Sequence, residues 1–334
     1  MNLPEYHSCR LTDNYNIMLI DKFSRNINYL RMSVTDRCNL RCKYCMPENG
    51  VPDKLPHEEI LRNEEFLQIA DAAAAAGITK IRLTGGEPLV RKGLIELVAG
   101  IASMNFQDFA MTTNGILLAK NAEVLKASGL HRVNISLDTL QEDRFNDLTG
   151  FYGLDNVLEG IDAAKKAGLN PVKINMVVIK GFNDDEIMDF IEFAMFENVE
   201  VRFIELMSIG GTSEWAKGRT IPNSDIIRNI DGLVSEPDEN SVSQKYFLKE
   251  SGAAIGFISP HEKDFCLRCN KLRLSSTGKL FPCLHNSTFI DIKTPLRTGD
   301  DISKIFYQAV QQKPEKNFYE ASTAAVINMN SIGG

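Results

Sequence analysis

The sequence lacks a long apolar run, an excess of positive charge and an export signal. No stretch approaches the ~20 consecutive apolar residues that a membrane-spanning helix needs. Lys and Arg total 37 against 44 Asp and Glu, and the resulting net charge of −7 argues against general nucleic-acid binding. Glu5, Asp13 and Asp21 interrupt residues 1–24, which excludes the apolar core of a secretory signal. We therefore expect a cytoplasmic protein without a membrane or nucleic-acid partner.

Cysteine is scarce and clustered, because Cys9 stands alone and the other six form two groups of three. The first group, Cys38, Cys42 and Cys45, follows residues 29–34, which have the composition of a strand. Such triplets without an export signal favour a metal centre in a reducing compartment over disulfides. A cubane iron–sulfur cluster normally takes one cysteine per iron, so three cysteines leave one of its four irons open. The spacing leaves a structural zinc site with a distant fourth ligand as the alternative.

From residue 28 to residue 207, β-branched runs alternate with helical patterns, which predicts βαβ units and a parallel sheet. The predicted strands are 29–34, 79–84, 108–113, 131–136, 171–178 and 199–206. The predicted helices are 63–76, 92–104, 119–127, 154–167 and 184–196. Six units predict an α/β protein with an incomplete (β/α)6 TIM-like barrel, whose chemistry belongs at the carboxyl ends of its strands. The predicted divisions are an N-terminal extension (residues 1–27), this barrel (28–215) and a smaller C-terminal α+β region with the second metal centre (216–334).

The second cysteine group, Cys266, Cys269 and Cys283, lies in the C-terminal region. A CxxC pair followed by a third cysteine is a common zinc pattern, and His285 or His261 would complete a Cys3His set. Spacing alone does not decide between zinc and another metal centre.

The first cysteine group carries a family resemblance. Its three cysteines, with Tyr44 directly before Cys45, match the CxxxCxxC motif of the radical S-adenosylmethionine enzymes. The surrounding residues 31–47 restrict the resemblance to one family of these enzymes. The chain resembles the GTP 3′,8-cyclase family of molybdenum cofactor biosynthesis from about residue 28 onward. The resemblance implies a lyase with two 4Fe–4S clusters and S-adenosylmethionine that converts GTP into (8S)-3′,8-cyclo-7,8-dihydroguanosine 5′-triphosphate. It also implies a 5′-deoxyadenosyl radical that removes the C3′ hydrogen of GTP before C3′ bonds to C8.

Glycine and polar residues at the predicted strand ends suit S-adenosylmethionine. Two glycines before Glu87 allow a backbone to approach a ligand closely, and the Glu87 carboxylate suits an ammonium group. For a lone GGEP segment, here residues 85–88, a plain strand-to-helix turn is the better explanation. The resemblance assigns six residues to this cofactor, namely Tyr44, Gly86, Glu87, Thr112, Ser136 and Met207.

Basic residues on the predicted strands point to an anionic substrate, since a buried triphosphate needs such neutralisation. Alternating strand geometry puts Lys80 and Arg82 on one face. For any single basic residue, a salt bridge to a neighbouring acid is the alternative explanation. The resemblance places five of them near the phosphates and ribose of GTP, namely Arg31, Lys80, Arg82, Lys173 and Arg202.

The resemblance assigns the second cysteine group to a second 4Fe–4S cluster, whose open iron binds guanine. The family usually reads CNRLRL where this chain has CNKLRL from Cys269 onward. Arg273 and Lys271 are the expected catalytic and substrate-binding residues, and Lys271 keeps the charge but loses the bidentate geometry of arginine. The resemblance also implies that the terminal Gly333 and Gly334 reach into the active site, where the absence of side chains suits a narrow channel.

The resemblance implies four partners: GTP as substrate, a low-potential electron donor, a downstream enzyme that forms the cyclic pyranopterin, and a second copy in a homodimer. Two alternatives remain open from the sequence. A radical enzyme with an auxiliary cluster that modifies a peptide predicts an acidic or apolar cavity. A zinc-stabilised binding module without catalysis predicts stoichiometric zinc and gives no reason for GGEP.

Overall fold

The computed structural model describes residues 18–46, 55–208, 212–238, 241–262, 264–316 and 332. Its strands are β1 (Tyr29–Ser33), β2 (Lys80–Thr84), β3 (Asp108–Thr113), β4 (Arg132–Ser136), β5 (Lys173–Val178), β6 (Glu200–Glu205), β7 (Leu233–Glu236), β8 (Ser243–Leu248), β9 (Ala254–Ile258), β10 (Lys271–Leu274), β11 (Lys279–Phe281) and β12 (Ile290–Asp291). Its helices are α1 (Asn63–Ala75), α2 (Leu94–Ala102), α3 (Ala122–Ala127), α4 (Glu142–Thr149), α5 (Leu154–Lys166), α6 (Ile187–Glu197), α7 (Ser213–Ala216), α8 (Asn223–Arg228), α9 (Lys293–Thr298) and α10 (Ser303–Gln311). Within these residues, no helix has both the length and the apolar character that crossing a membrane requires.

The described strands form one sheet in the order β12-β11-β10-β1-β2-β3-β4-β5-β6-β9-β8-β7. Strands β1 to β6 are parallel neighbours, as the alternating pattern predicts. The C-terminal region adds β9 beside β6 and β10 beside β1, both parallel, so that eight adjacent strands run in one direction. It therefore extends the barrel sheet at both edges and does not form a sheet of its own.

Alternate residues of the parallel strands separate an apolar face from a polar one. One register row of fully buried side chains crosses β4, β5, β6 and β9 as Ile135, Ile174, Val201 and Ile255. These side chains pack in the main core with apolar residues of the helices. The residues between them point to the opposite face because successive strand side chains alternate. That second face lines the inside of the partial barrel, and it carries the polar residues.

The first predicted helix begins at Asn63, as the structure has it, and the Glu65 carboxylate accepts from the Arg62 amide at 2.7 Å just before it. The Asn63 amide donates to the Gly93 carbonyl at 2.7 Å, across to the start of α2. The pattern missed α4, whose buried face consists of only three residues.

Candidate active site

The first cysteine group lies in the loop that follows β1, at the carboxyl edge of the parallel strands. The Cys45 amide donates to the Cys42 carbonyl at 2.9 Å, which curls the loop into a turn. The Cys38 sulfur accepts from the Leu40 amide at 3.4 Å and from the Asn114 side-chain amide at 3.8 Å. Hydrogen bonds to the sulfurs are among the contacts that tune iron–sulfur clusters. The loop therefore suits cluster ligation.

The six described cysteines are half-buried and form no disulfide bond with one another. Burial, followed by the charges of Cys45 and Asp138, raises the pKa of Cys42 well above its usual value. A thiol that binds iron gives up its proton to the metal's charge. Among the described residues, no three His, Cys, Asp or Glu side chains form a site for a single metal ion. In a cubane each cysteine binds a different iron, so its sulfurs do not converge on one point.

The GGEP turn after β2 packs directly against the cysteine loop. The Gly86 amide donates to the Thr35 carbonyl at 2.8 Å, and the Glu87 amide donates to the Arg37 carbonyl at 2.7 Å. A Cβ on Gly86 would lie 2.3 Å from the Arg37 carbonyl oxygen, and one on Gly85 would lie 2.5 Å from the Thr35 carbonyl oxygen. The two glycines are therefore required for the approach of the cysteine loop itself.

Glu87 has no exposed surface, and its carboxylate is engaged within the protein. It accepts from the Leu89 amide at 3.0 Å, from Thr113 Oγ1 at 2.7 Å and from the Asn114 amide at 2.7 Å. Burial raises the pKa of Glu87 to about 7, and these hydrogen bonds oppose the shift. The carboxylate thus joins the turn after β2 to the end of β3, and its expected contact with S-adenosylmethionine stays a prediction.

Tyr44 is held by a carboxylate from outside its own loop. Its hydroxyl donates to Asp138 at 2.8 Å, and the other oxygen of Asp138 accepts from the Val177 amide at 2.8 Å. The Tyr44 carbonyl accepts from Thr212 Oγ1 at 2.9 Å. Burial raises the pKa of Asp138 to about 6. The end of β4 therefore positions the side chain that precedes Cys45.

The remaining predicted cofactor residues lie at the same edge. Thr112 is the penultimate residue of β3, and its Oγ1 is buried without a hydrogen-bond partner among the described residues. Ser136 ends β4, and Met207 lies two residues beyond β6; both are half-buried. All of them are grouped with Tyr44 at the carboxyl edge of the sheet.

The polar face of the strands gathers the predicted substrate-binding residues. Strand register places Arg31 beside both Arg82 and Arg273, and places Tyr29 beside both Lys80 and Lys271. Burial, followed by the charge of Arg273, lowers the pKa of Arg31 to about 10. Burial also lowers the pKa of Arg82 to about 9 and that of Lys271 to about 7. Like charges crowded and desolvated in this way favour an anionic ligand.

Two acids share this face and confirm the salt-bridge alternative for part of the set. Glu200 accepts from Lys173 Nζ at 2.6 Å and also pairs with Arg202. Burial, followed by the charge of Arg202, lowers the pKa of Lys173 to about 8. The sequence interpretation missed Arg132, which pairs with Asp108. The charges along the polar face of β10 and β1 to β6 are therefore eight cations and two carboxylates, namely Arg31, Lys80, Arg82, Arg132, Lys173, Arg202, Lys271 and Arg273 with Asp108 and Glu200.

The second cysteine group lies at the opposite, amino edge of the strands. Cys269 stands two residues before β10, and Cys283 stands two residues after β11, which returns antiparallel to β10. Burial raises the pKa of Cys269, but the charges of Lys313 and Lys271 outweigh it and lower that pKa to about 6. Burial, followed by Arg273 and His261, lowers the pKa of His285 to about 4. The cationic face therefore lies between the two cysteine groups.

Comparison with known proteins agrees with this arrangement. Residues 32–194 match the model of the Radical SAM superfamily, and residues 199–319 match that of Molybdenum Cofactor Synthesis C. A GTP 3′,8-cyclase of Pelotomaculum thermopropionicum is 46% identical over 324 residues, which cover 94% of this chain and 99% of that protein. A GTP 3′,8-cyclase of Moorella thermoacetica is 47% identical over 323 residues with the same coverage. The chain belongs to the GTP 3′,8-cyclase family.

A solved structure supports the fold of this family member. Streptococcus suis SuiB bound to S-adenosylmethionine superposes with a TM-score of 0.63 at 16% sequence identity, over 84% of this chain and 65% of SuiB. SuiB bound to its precursor peptide SuiA gives a TM-score of 0.60 at 15% identity, over 92% of this chain and 66% of SuiB. At this identity the likeness concerns the fold alone.

Sequence reasoning missed several residues of this GTP 3′,8-cyclase family site. Arg132 donates to Asn134 at 2.9 Å, and both side chains lie on the polar face of β4. A charged residue inside a strand of a buried parallel sheet was the available signal for Arg132. Asp138 and Lys313 gave no such signal, because their contacts come from distant parts of the chain. Three residues named in the sequence analysis lie outside the described residues, namely Cys9, Gly333 and Gly334.

Proposed function

We propose that this protein is a radical S-adenosylmethionine GTP 3′,8-cyclase, a lyase that forms (8S)-3′,8-cyclo-7,8-dihydroguanosine 5′-triphosphate in molybdenum cofactor biosynthesis. The observation that carries the proposal is the cationic face between two cysteine groups at opposite edges of the same strands. Desolvating eight cations beside two carboxylates costs free energy unless an anion compensates them. A nucleoside triphosphate is an anion of suitable charge.

The first cysteine group, Cys38, Cys42 and Cys45, holds a 4Fe–4S cluster in this proposal. When bound, that cluster supplies the electron that cleaves S-adenosylmethionine to methionine and a 5′-deoxyadenosyl radical. Glu87 fixes the turn that carries Gly86. The proposed contacts to S-adenosylmethionine come from the carboxyl edge, namely from Tyr44, Gly86, Glu87, Thr112, Ser136 and Met207.

The polar face binds GTP in this proposal. Arginine contacts phosphate through two parallel hydrogen bonds and lysine acts as a point charge, so the mixed set both orients and neutralises the triphosphate. Residues on rigid strands hold the ribose C3′ toward the carboxyl edge, where the radical forms. The proposed phosphate and ribose contacts are Arg31, Lys80, Arg82, Lys173 and Arg202.

The second cysteine group, Cys266, Cys269 and Cys283, holds a second 4Fe–4S cluster in the proposal. Three thiols, one of them with a strongly lowered pKa, form a donor set that suits iron. Lys271 and Arg273 adjoin this site and are the proposed catalytic residues that orient the guanine. We further propose a low-potential electron donor and a downstream enzyme that forms the cyclic pyranopterin, a cytoplasmic location and a homodimer.

The test uses anaerobically purified protein with S-adenosylmethionine, a reductant and GTP deuterated at C3′. We expect deuterium in the released 5′-deoxyadenosine by mass spectrometry, together with the cyclised nucleotide. We also expect about eight irons and eight sulfides per chain. Cys38→Ala is the control and should abolish 5′-deoxyadenosine formation.

Each alternative has its own outcome in this test. Unlabelled 5′-deoxyadenosine and unchanged GTP would contradict the cyclase and reopen a peptide substrate. About four irons and one zinc per chain would contradict the second cluster and make its site structural. Zinc without iron would contradict radical chemistry and leave a binding module.

A further inference from the structure

Lys313 is a buried lysine that donates hydrogen bonds to two backbone carbonyls. Lys313 is only 4% exposed. Its ammonium donates to the Lys271 and Pro282 carbonyls, each at 2.9 Å. Among the described residues, no Asp or Glu forms an ion pair with this ammonium. Two carbonyl dipoles compensate a buried charge less than an anion does.

Both carbonyls adjoin the second cysteine group. Lys271 stands two residues after Cys269, and Pro282 directly precedes Cys283. One ammonium therefore lies beside the backbone segments that carry two of the three cysteines.

The third cysteine is tied to the same place by Arg25. Its guanidinium donates to the Cys266 carbonyl at 2.7 Å and to the Pro314 carbonyl at 2.6 Å, while Asp21 pairs with it at 2.6 Å. Pro314 directly follows Lys313. Residues from the two ends of the described chain thus hold together the three segments that carry the second cysteine group.

We propose that Lys313 is a positioning residue of the second cluster: it compensates the negative charge of the cluster's thiolates and fixes the segments that carry Cys269 and Cys283. This inference rests on the second cluster in the proposed function. A positive charge beside an iron–sulfur cluster stabilises its reduced, more negative form and raises its reduction potential. Arg25 holds the backbone after Lys313 and thereby keeps the ammonium in place.

The test observes the second cluster alone in the full-length chain, with Cys38, Cys42 and Cys45 replaced by alanine. Four proteins are compared in this background, namely the parent, Lys313→Met, Lys313→Gln and Lys304→Met. Iron per chain is measured first, and the reduced fraction is then followed by electron paramagnetic resonance at fixed applied potentials. Gln keeps amide donors for the two carbonyls without the charge, and exposed Lys304 on α10 is the matched control.

For Lys313→Met and Lys313→Gln, we expect the reduced-to-oxidised ratio at a fixed potential to fall about tenfold, which corresponds to about 59 mV for a one-electron couple. Lys304→Met should match the parent. A parent without iron would overturn the second cluster and this inference together. Full iron content with an unchanged ratio in both Lys313 variants would overturn the inference alone. Loss of iron from folded Lys313→Met, with iron retained in Lys304→Met, would support the positioning role. If Lys313→Met does not fold, the same comparison is made with Lys313→Gln.

Discussion

Gly86 lies where the turn after β2 meets the backbone that leads into Cys38. A methyl group there would come within 2.3 Å of the Arg37 carbonyl oxygen, closer than any relaxed contact permits. The neighbouring atoms are backbone, so they cannot move aside as a side chain would. The residue type at this position therefore determines where the first cysteine group lies.

Gly86→Ala should displace the cysteine loop. We expect less iron at the first site, at least a tenfold lower rate of 5′-deoxyadenosine formation, and a loss of stability of about 1–3 kcal/mol from overpacking. Iron analysis and single-turnover assays under anaerobic conditions measure the first two effects. Gly252→Ala is the control for backbone strain without steric overlap, because Gly252 has a φ of 71° and no atom lies within 4 Å of a Cβ built there. Normal iron content and activity in Gly86→Ala would contradict the steric argument.

The buried Asp138 accepts a hydrogen bond from the half-buried Tyr44, and this bond fixes the end of the cysteine loop. In a double-mutant cycle with Asp138→Ala and Tyr44→Phe, we expect a coupling free energy of about 1–2 kcal/mol. Urea unfolding of the iron-free protein measures it. The exposed pair of Lys43 and Asp147 is the control and should couple by less than about 0.5 kcal/mol. Equal coupling in the two pairs would exclude a fixing role for Asp138.

At the scale of elements, β9 and β10 extend the partial barrel that β1 to β6 form. Phe257 on β9 is fully buried, and its ring lies 5.6 Å from that of Phe203 on β6. The core of the barrel therefore includes side chains from the C-terminal region. The two regions that match separate family models share one sheet and one core.

Phe257→Ala should destabilise the whole barrel by about 3–5 kcal/mol, because it leaves a cavity between β9 and β6. Val234→Ala on β7, where the side chain is exposed, should change stability by less than about 0.5 kcal/mol. Urea unfolding followed by circular dichroism measures both. A separate, earlier transition for the C-terminal region in the parent protein would contradict a shared core.

At the scale of the whole molecule, charge is distributed unevenly. The chain carries a net charge of −7, yet its barrel interior presents eight cations with two carboxylates. The surface therefore repels anions in general, while the interior favours them. The pKa of Lys173 depends on these charges. Burial and then the charge of Arg202 lower it to about 8; Glu200 raises it and Arg132 lowers it further.

GTP binding at pH 8 should take up protons. Free Lys173 is about half protonated at a pH equal to its pKa, and a bound triphosphate favours the charged form, so its protonation rises on binding. Isothermal titration calorimetry in two buffers with different ionisation enthalpies measures the uptake. Lys173→Met should reduce it by about half a proton, whereas exposed Lys166→Met should leave it unchanged. Equal uptake in Lys173→Met and the parent would contradict this assignment.

Local sequence determined the two cysteine groups, the six barrel strands and most of the cations on the polar face. Those features depend on spacing and alternation, which short stretches of chain specify by themselves. The spacing of Cys38, Cys42 and Cys45 and the basic residues inside predicted strands were therefore visible without coordinates.

Tertiary structure alone decided the contacts between distant residues. Asp138 holds Tyr44 across 94 positions, and Arg25 reaches Cys266 across 241. The hydrogen bonds of the Glu87 carboxylate and the pairing of β9 with β6 and of β10 with β1 also depend on which elements become neighbours. No local pattern encodes such pairings, because burial and register arise only when the whole sheet has assembled.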